Sequence, residues 1–79
     1  MDSELARIVA SNVRAEAARR GCTQTKVAEL VELAQPAVSD RYRERRQWQL
    51  EDLDKLGRAW GLDPAELLAR PKGFEPLTF

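Results

Sequence analysis

Apolar positions recur with a helical period along nearly the whole chain, and no segment alternates with the period of a strand. From Ser3 to Arg20 there is no Gly or Pro, Ala is frequent, and Leu5, Ile8, Val9, Val13 and Ala17 fall on one face. That spacing predicts a long first helix, stopped by Gly21, with Arg19 and Arg20 favourably placed in its last turn. Thr23 is a candidate N-cap for a short second helix whose inward stripe is Val27, Ala28 and Val31. Glu32-Leu33-Ala34 is a compact connection to a third helix opening at Gln35. Pro36 is tolerated there because a first-turn N–H has no partner inside the helix. Val38, with either Arg41 or Tyr42, is the candidate inner face of this third helix.

Arg43 to Gln49 reads as a polar loop with one large apolar anchor, Trp48. Leu50, Leu53, Leu56 and Trp60 then predict an amphipathic fourth helix ended by Gly61. Asp63-Pro64-Ala65-Glu66 carries the signals of a helix start: Asp as N-cap, Pro at the first position and Glu at the third, as in a capping box. Leu67 and Leu68 follow, so a short fifth helix to about Arg70 is expected, with an irregular tail over 71–79. The expectation is an all-α fold of five helices in one domain over residues 1–70, with little room for an enclosed pocket.

Composition narrows the function. The 79 residues carry one cysteine and no histidine, which excludes a disulfide framework and any ordinary zinc site; no cofactor, metal or small-molecule ligand is expected. Cys22 fits a reducing cytosol and is expected to be a small buried residue rather than a redox sensor. No apolar run approaches the ~20 residues of a membrane span, and the acidic start Met1-Asp2-Ser3-Glu4 does not read as a signal peptide. With no nucleophile–base set and no Gly-rich phosphate loop, an enzyme is not expected. Net charge is zero, but it is segregated: Arg41, Arg43, Arg45 and Arg46 face only Glu44 locally, while Glu51, Asp52, Asp54, Asp63 and Glu66 outnumber Lys55 and Arg58 downstream.

Two short helices joined by a tight turn, the second opening with polar residues and followed by arginines, form a helix-turn-helix pattern. A helix fits the major groove and presents its N-terminal side chains to base edges; Gln can pair with adenine and Ser with several bases. Alone, the arginines would read as a solvated loop, and Gln35 and Ser39 as helix-start chemistry. Trp48 and Trp60, at anchoring and helical positions, read as core rather than as base-stacking residues.

The stretch from Cys22 to Leu68 resembles the Cro and lambda-type phage repressor family. Thr23-Gln24 and Ala28 match the family's second helix, and Gln35-Pro36-Ala37-Val38-Ser39 its recognition helix. Leu50 to Gly61 and Asp63 to Leu68 match its leucine-rich and closing helices. The resemblance implies a lambda-repressor-like domain in which Gln35, Pro36, Ser39 and Asp40 face the groove. It further implies that Thr23, Gln24 and Thr25 meet a phosphate, and that Arg43, Arg45 and Arg46 contact the backbone. It also implies a repressor of phage or prophage kind, immunity or Cro-type. Such a protein binds a double-stranded operator in the bacterial cytoplasm, nucleoid-associated, with a homodimer formed in solution or only on DNA.

Four positions depart from the family pattern. Glu32 stands where the turn often has Gly, Ala34 where a Ser or Thr cap is usual, and Asp40 where a basic or amide residue is common. Arg41 stands where an apolar residue is common; if Tyr42 packs inward instead, Arg41 joins the backbone-contacting set. A module that binds a protein partner, such as an antitoxin-like domain, is the alternative class. In the tail, Gly73-Phe74-Glu75-Pro76 can be encoded by GGG-TTC-GAA-CCC, which resembles the T-arm of a tRNA gene and suggests the trace of an attachment site.

Overall fold

The computed structural model describes residues 3–69. They form helices α1 (Glu4–Arg19), α2 (Gln24–Val31), α3 (Gln35–Tyr42) and α4 (Leu50–Trp60), closed by a 3-10 helix over Pro64–Leu68. The expected fifth α-helix is thus one tight 3-10 segment. Its backbone bonds run three residues back, from Glu66 N–H to Asp63 O (2.8 Å) and Ala69 N–H to Glu66 O (3.4 Å). Its expected end at Arg70, the 71–79 tail and the tRNA-like stretch lie outside the described residues.

Local chemistry sets the boundaries. The Ser3 side chain accepts from Ala6 N–H (2.9 Å) and the Thr23 side chain from Lys26 N–H (3.1 Å), capping α1 and α2. After α1, Arg20 caps and Gly21 turns the chain at φ 68°; after α4, Gly61 does so at φ 70°. At the start of α4 the Gln49 side chain bonds the backbone of Asp52 while the Asp52 carboxylate accepts from Gln49 N–H, a capping box built from Gln and Asp. Asp63 caps the closing segment through Ala65 N–H (3.0 Å).

Every helix contributes to one core: Val9, Val13 and Ala17 from α1, Val27 and Val31 from α2, Val38 from α3, Leu53 and Leu56 from α4, and Leu67 from the closing segment. Trp48 anchors the α3–α4 loop, as its place in the sequence suggests, and Trp60 and Cys22 are half-buried against the core. Two expectations are corrected. Leu5 and Leu50 are exposed (52% and 77%) and flank an open cleft between α1 and the start of α4, lined beneath by Val9 and Leu53. Leu50 is the first residue of α4 and lies about a quarter turn from the arc centred between Leu53 and Leu56.

The closing segment is tied back to α1 by one buried side chain. Asn12 Nδ2 donates to Leu67 O (2.9 Å) and Ala69 O (2.7 Å). This brings the closing segment against α1, while α2 and α3 pack on each other and the α3–α4 loop runs beside the start of α1.

Candidate nucleic-acid interface

The turn between α2 and α3 is built on Glu32, which adopts the left-handed conformation at φ 62°. A side chain there is strained, which is why glycine is common at such positions. The turn is held by Leu33 N–H to Ala28 O (3.0 Å) and Glu32 N–H to Glu29 O (3.3 Å). Lys55 on α4 braces it, with Nζ donating to Val31 O (3.4 Å) and pairing with the Glu32 carboxylate (3.1 Å). Ala34 then enters α3 with extended dihedrals and no side-chain cap, so the first N–H groups of α3 have no side-chain acceptor from the cap position.

The polar start of α3 faces outward. Gln35 and Pro36 are exposed and Ser39 and Asp40 half-buried, while Val38 turns fully inward. Thr23 and Thr25 are exposed and Gln24 partly so, at the N-terminus of α2. Beyond α3, Arg43, Arg45 and Arg46 are exposed on a loop that turns at Glu44 (φ 62°). Asp40 serves this loop twice: its carbonyl accepts from Arg45 N–H (2.8 Å) and Arg46 N–H (3.4 Å), and its carboxylate lies 3.9 Å from Arg46 Nε.

The sequence left open whether Arg41 or Tyr42 turns inward. Both do, and the assignment of Arg41 to the DNA backbone is corrected. Arg41 is buried (7% exposed); its Nε pairs with Asp52 Oδ2 (3.2 Å) and its Nη1 donates to Ala37 O (3.1 Å). Its guanidinium lies 5.8 Å from the Trp48 ring centre, and Tyr42 meets the same ring edge-on at 6.2 Å. A guanidinium with a buried carboxylate, a carbonyl and an aromatic face has no reason to leave for a phosphate. Burial of Tyr42 pushes its phenol above its ordinary value, the nearby Cys22 adding to the effect and Arg14 opposing it.

Three supporting residues were missed in the sequence. Arg14 on α1 reaches Tyr42 O (3.2 Å) and pairs with Glu44 (3.5 Å), tying the C-terminal end of α3 to α1. Asp52 and Lys55 sit in an acidic-looking helix that reads as a solvated surface. Only Asp52 had a local signal, the Gln-x-x-Asp spacing from Gln49. Elsewhere on α1, hydrogen bonds from Arg20 hold the Glu16 carboxyl below its ordinary value against the opposing effect of partial burial, with Arg19 adding to the lowering. Among the described residues no three His, Cys, Asp or Glu side chains converge as metal ligands, and no helix is long and apolar enough to cross a membrane.

Two short helices about a braced turn, the second presenting polar side chains and followed by an arginine loop, define a helix-turn-helix DNA-binding domain. The comparison with known families agrees: residues 12–73 match the Cro/C1-type helix-turn-helix DNA-binding domain, and the chain belongs to that family. The fold is similar to the crystal structure of a hypothetical transcription factor, NHTF, from Neisseria. The two share 27% sequence identity over 95% of this chain and 86% of that one, with a TM-score of 0.79. No curated protein matches the chain.

Proposed function

We propose that this domain is a sequence-specific transcriptional regulator that binds a double-stranded operator through the major groove, acting as a repressor of phage or prophage kind. Gln35, Pro36, Ser39 and Asp40 form the reading surface. Thr23, Gln24 and Thr25 approach one phosphate at the start of α2, and Arg43, Arg45 and Arg46 clamp the backbone beyond α3. The observation that carries this reading is the two-sidedness of α3: an exposed polar start over an inner face held by Val38 and Arg41. The similarity to a protein described as a transcription factor supports regulation as the outcome of binding. A palindromic site bound by two copies fits the family's habit of two-fold recognition, and such a protein would work in the cytoplasm.

The test is binding to an operator selected from random sequences, measured against salt. Gln35→Ala is expected to relax specificity at one base pair at a cost of about 1–3 kcal/mol. Arg45→Ala is expected to weaken all sequences alike and reduce the salt slope by about one. Equal losses on every sequence for Gln35→Ala would contradict its role, and no salt-dependent binding at low ionic strength would sink the DNA reading.

A further inference from the structure

The Arg41–Asp52 pair is the least economical feature of the core, and its geometry explains what it does. Both residues are buried, at 7% and 3% exposure, in the wall between α3 and α4. A buried ion pair is a poor source of stability, because desolvating two charges consumes most of their attraction, and apolar residues of similar volume often serve the fold as well or better. What an apolar pair lacks is direction.

Direction is what α3 needs. It has eight residues, and Val38 is its one buried apolar side chain. Val38 and the half-buried Tyr42, edge-on to Trp48, are non-directional apolar contacts that define the roll of so short a helix only loosely. Arg41 adds a directional constraint through its bond to Asp52 and the Trp48 ring against its face, while its bond to Ala37 O, within α3 itself, fixes the guanidinium on the helix. The same Asp52 Oδ2 also accepts from Gln49 N–H at 2.9 Å, so one oxygen fixes both the roll of α3 and the point where the arginine loop enters α4. A roll of about 20° at the side-chain radius of a helix, roughly 5–6 Å, moves a side chain by about 2 Å, far outside the range of a hydrogen bond to a base edge.

We propose that Arg41 and Asp52 are positioning residues for DNA reading: the pair sets the rotation of α3 and the path of the 43–49 loop so that base-reading and backbone-contacting side chains engage together. The role rests on the DNA-reading function proposed above.

The experiment uses the full chain. Arg41→Met/Asp52→Leu replaces the pair with apolar residues. Its thermal midpoint is compared with wild type, and its affinity is measured on the selected operator and on random-sequence DNA. Operator affinity is expected to fall by about tenfold, comparable to losing one well-read base pair, in a variant that still melts cooperatively, its midpoint set by the lost Asp52 cap on α4 against the removal of a buried ion pair. Random-sequence affinity is expected to fall less than operator affinity, because Arg43, Arg45 and Arg46 keep their charge even where the loop that carries them shifts. Arg41→Lys, which keeps the charge but loses the Nε bond and the planar fork, is expected to show a smaller loss in the same direction. A folded double variant with an unchanged operator-to-random ratio overturns the proposal. So does a double variant that fails to fold alongside an Arg41→Lys variant whose ratio equals wild type. Wild-type protein that binds neither DNA overturns the reading itself, and the positioning role with it, before any variant is made.

Discussion

Gly57→Ala tests how α4 meets the closing segment, and the structure reverses the usual sign of that substitution. In a helix interior, Ala is favoured over Gly by about 1 kcal/mol, because it removes backbone freedom from the unfolded chain. Gly57 lies within α4, is buried and has no left-handed dihedral, so propensity alone predicts stabilisation. A Cβ at this position, however, would stand 2.7 Å from Leu62 O, 3.0 Å from Pro64 Cγ and 3.2 Å from Pro64 Cδ. None of these is the end of a flexible side chain. Leu62 is fixed where it stands by its own N–H, which donates to Gly57 O at 2.9 Å, and Pro64 opens the closing segment. Relief therefore requires moving backbone, at a cost of about 2–3 kcal/mol within the usual overpacking range. Against the propensity gain, a net loss of about 1–2 kcal/mol remains, a fall in melting temperature of about 4–16 °C for a domain of this size. Thermal unfolding followed by circular dichroism reads the change. Ala59→Gly, exposed on the same helix, serves as the control and is expected to lose about 1 kcal/mol from propensity alone. DNA affinity well below the melting temperature is expected to survive in Gly57→Ala, because the disturbance lies away from α3. A variant that melts at or above wild type would refute the reasoning.

Two further predictions concern the joints of the bundle. Asn12→Ala removes both hydrogen bonds that tie the closing segment to α1 and strands the buried Leu67 carbonyl. A loss of about 1–3 kcal/mol in urea unfolding is expected, and an unchanged midpoint would show that the tie carries no weight. Tyr42 is held neutral in the folded state, so its contribution is intact below the ordinary phenol value near 10 and is lost as pH rises through its higher folded value. Wild type is therefore expected to lose more stability than Tyr42→Phe between about pH 9 and pH 11; parallel losses in denaturant titrations would contradict the burial argument.

Most element boundaries were legible in the sequence because local chemistry decides them. Thr23 and Asp63 as caps, the uncapped Ala34, and the stops at Gly21 and Gly61 need only neighbours within a turn. The left-handed turn at Glu32 was visible as a residue standing where glycine is usual, but the brace that holds it, Lys55, is a helix away. Leu5 and Leu50 failed as core residues because periodicity reports which face a residue shares and not whether a neighbour reaches it. The closing segment carried correct start signals, yet those signals do not distinguish a five-residue 3-10 segment from an α-helix.

The candidate site was misread where charge partners are distant in sequence. Arg41 has a polar name and an inward position, and only Asp52, eleven residues on, reconciles the two. This also changes how the zero net charge bears on DNA binding. The sequence suggests that acidic residues gathered in the fourth helix leave a basic cluster beside them. In the structure part of that acidity is consumed by pairing: Asp52 with buried Arg41, Glu51 with Lys55 and Asp54 with Arg58. Arg41 and Asp52 cancel inside the core and contribute little to the field outside it. What faces outward beyond α3 is Arg43, Arg45 and Arg46 with Glu44, which pairs with Arg14, and Asp40 beside Arg46 as local counterweights. The formal charge of the chain thus says little about this surface. The sign and placement of the exposed residues next to α3 decide what it attracts, and among those residues arginine outnumbers acid.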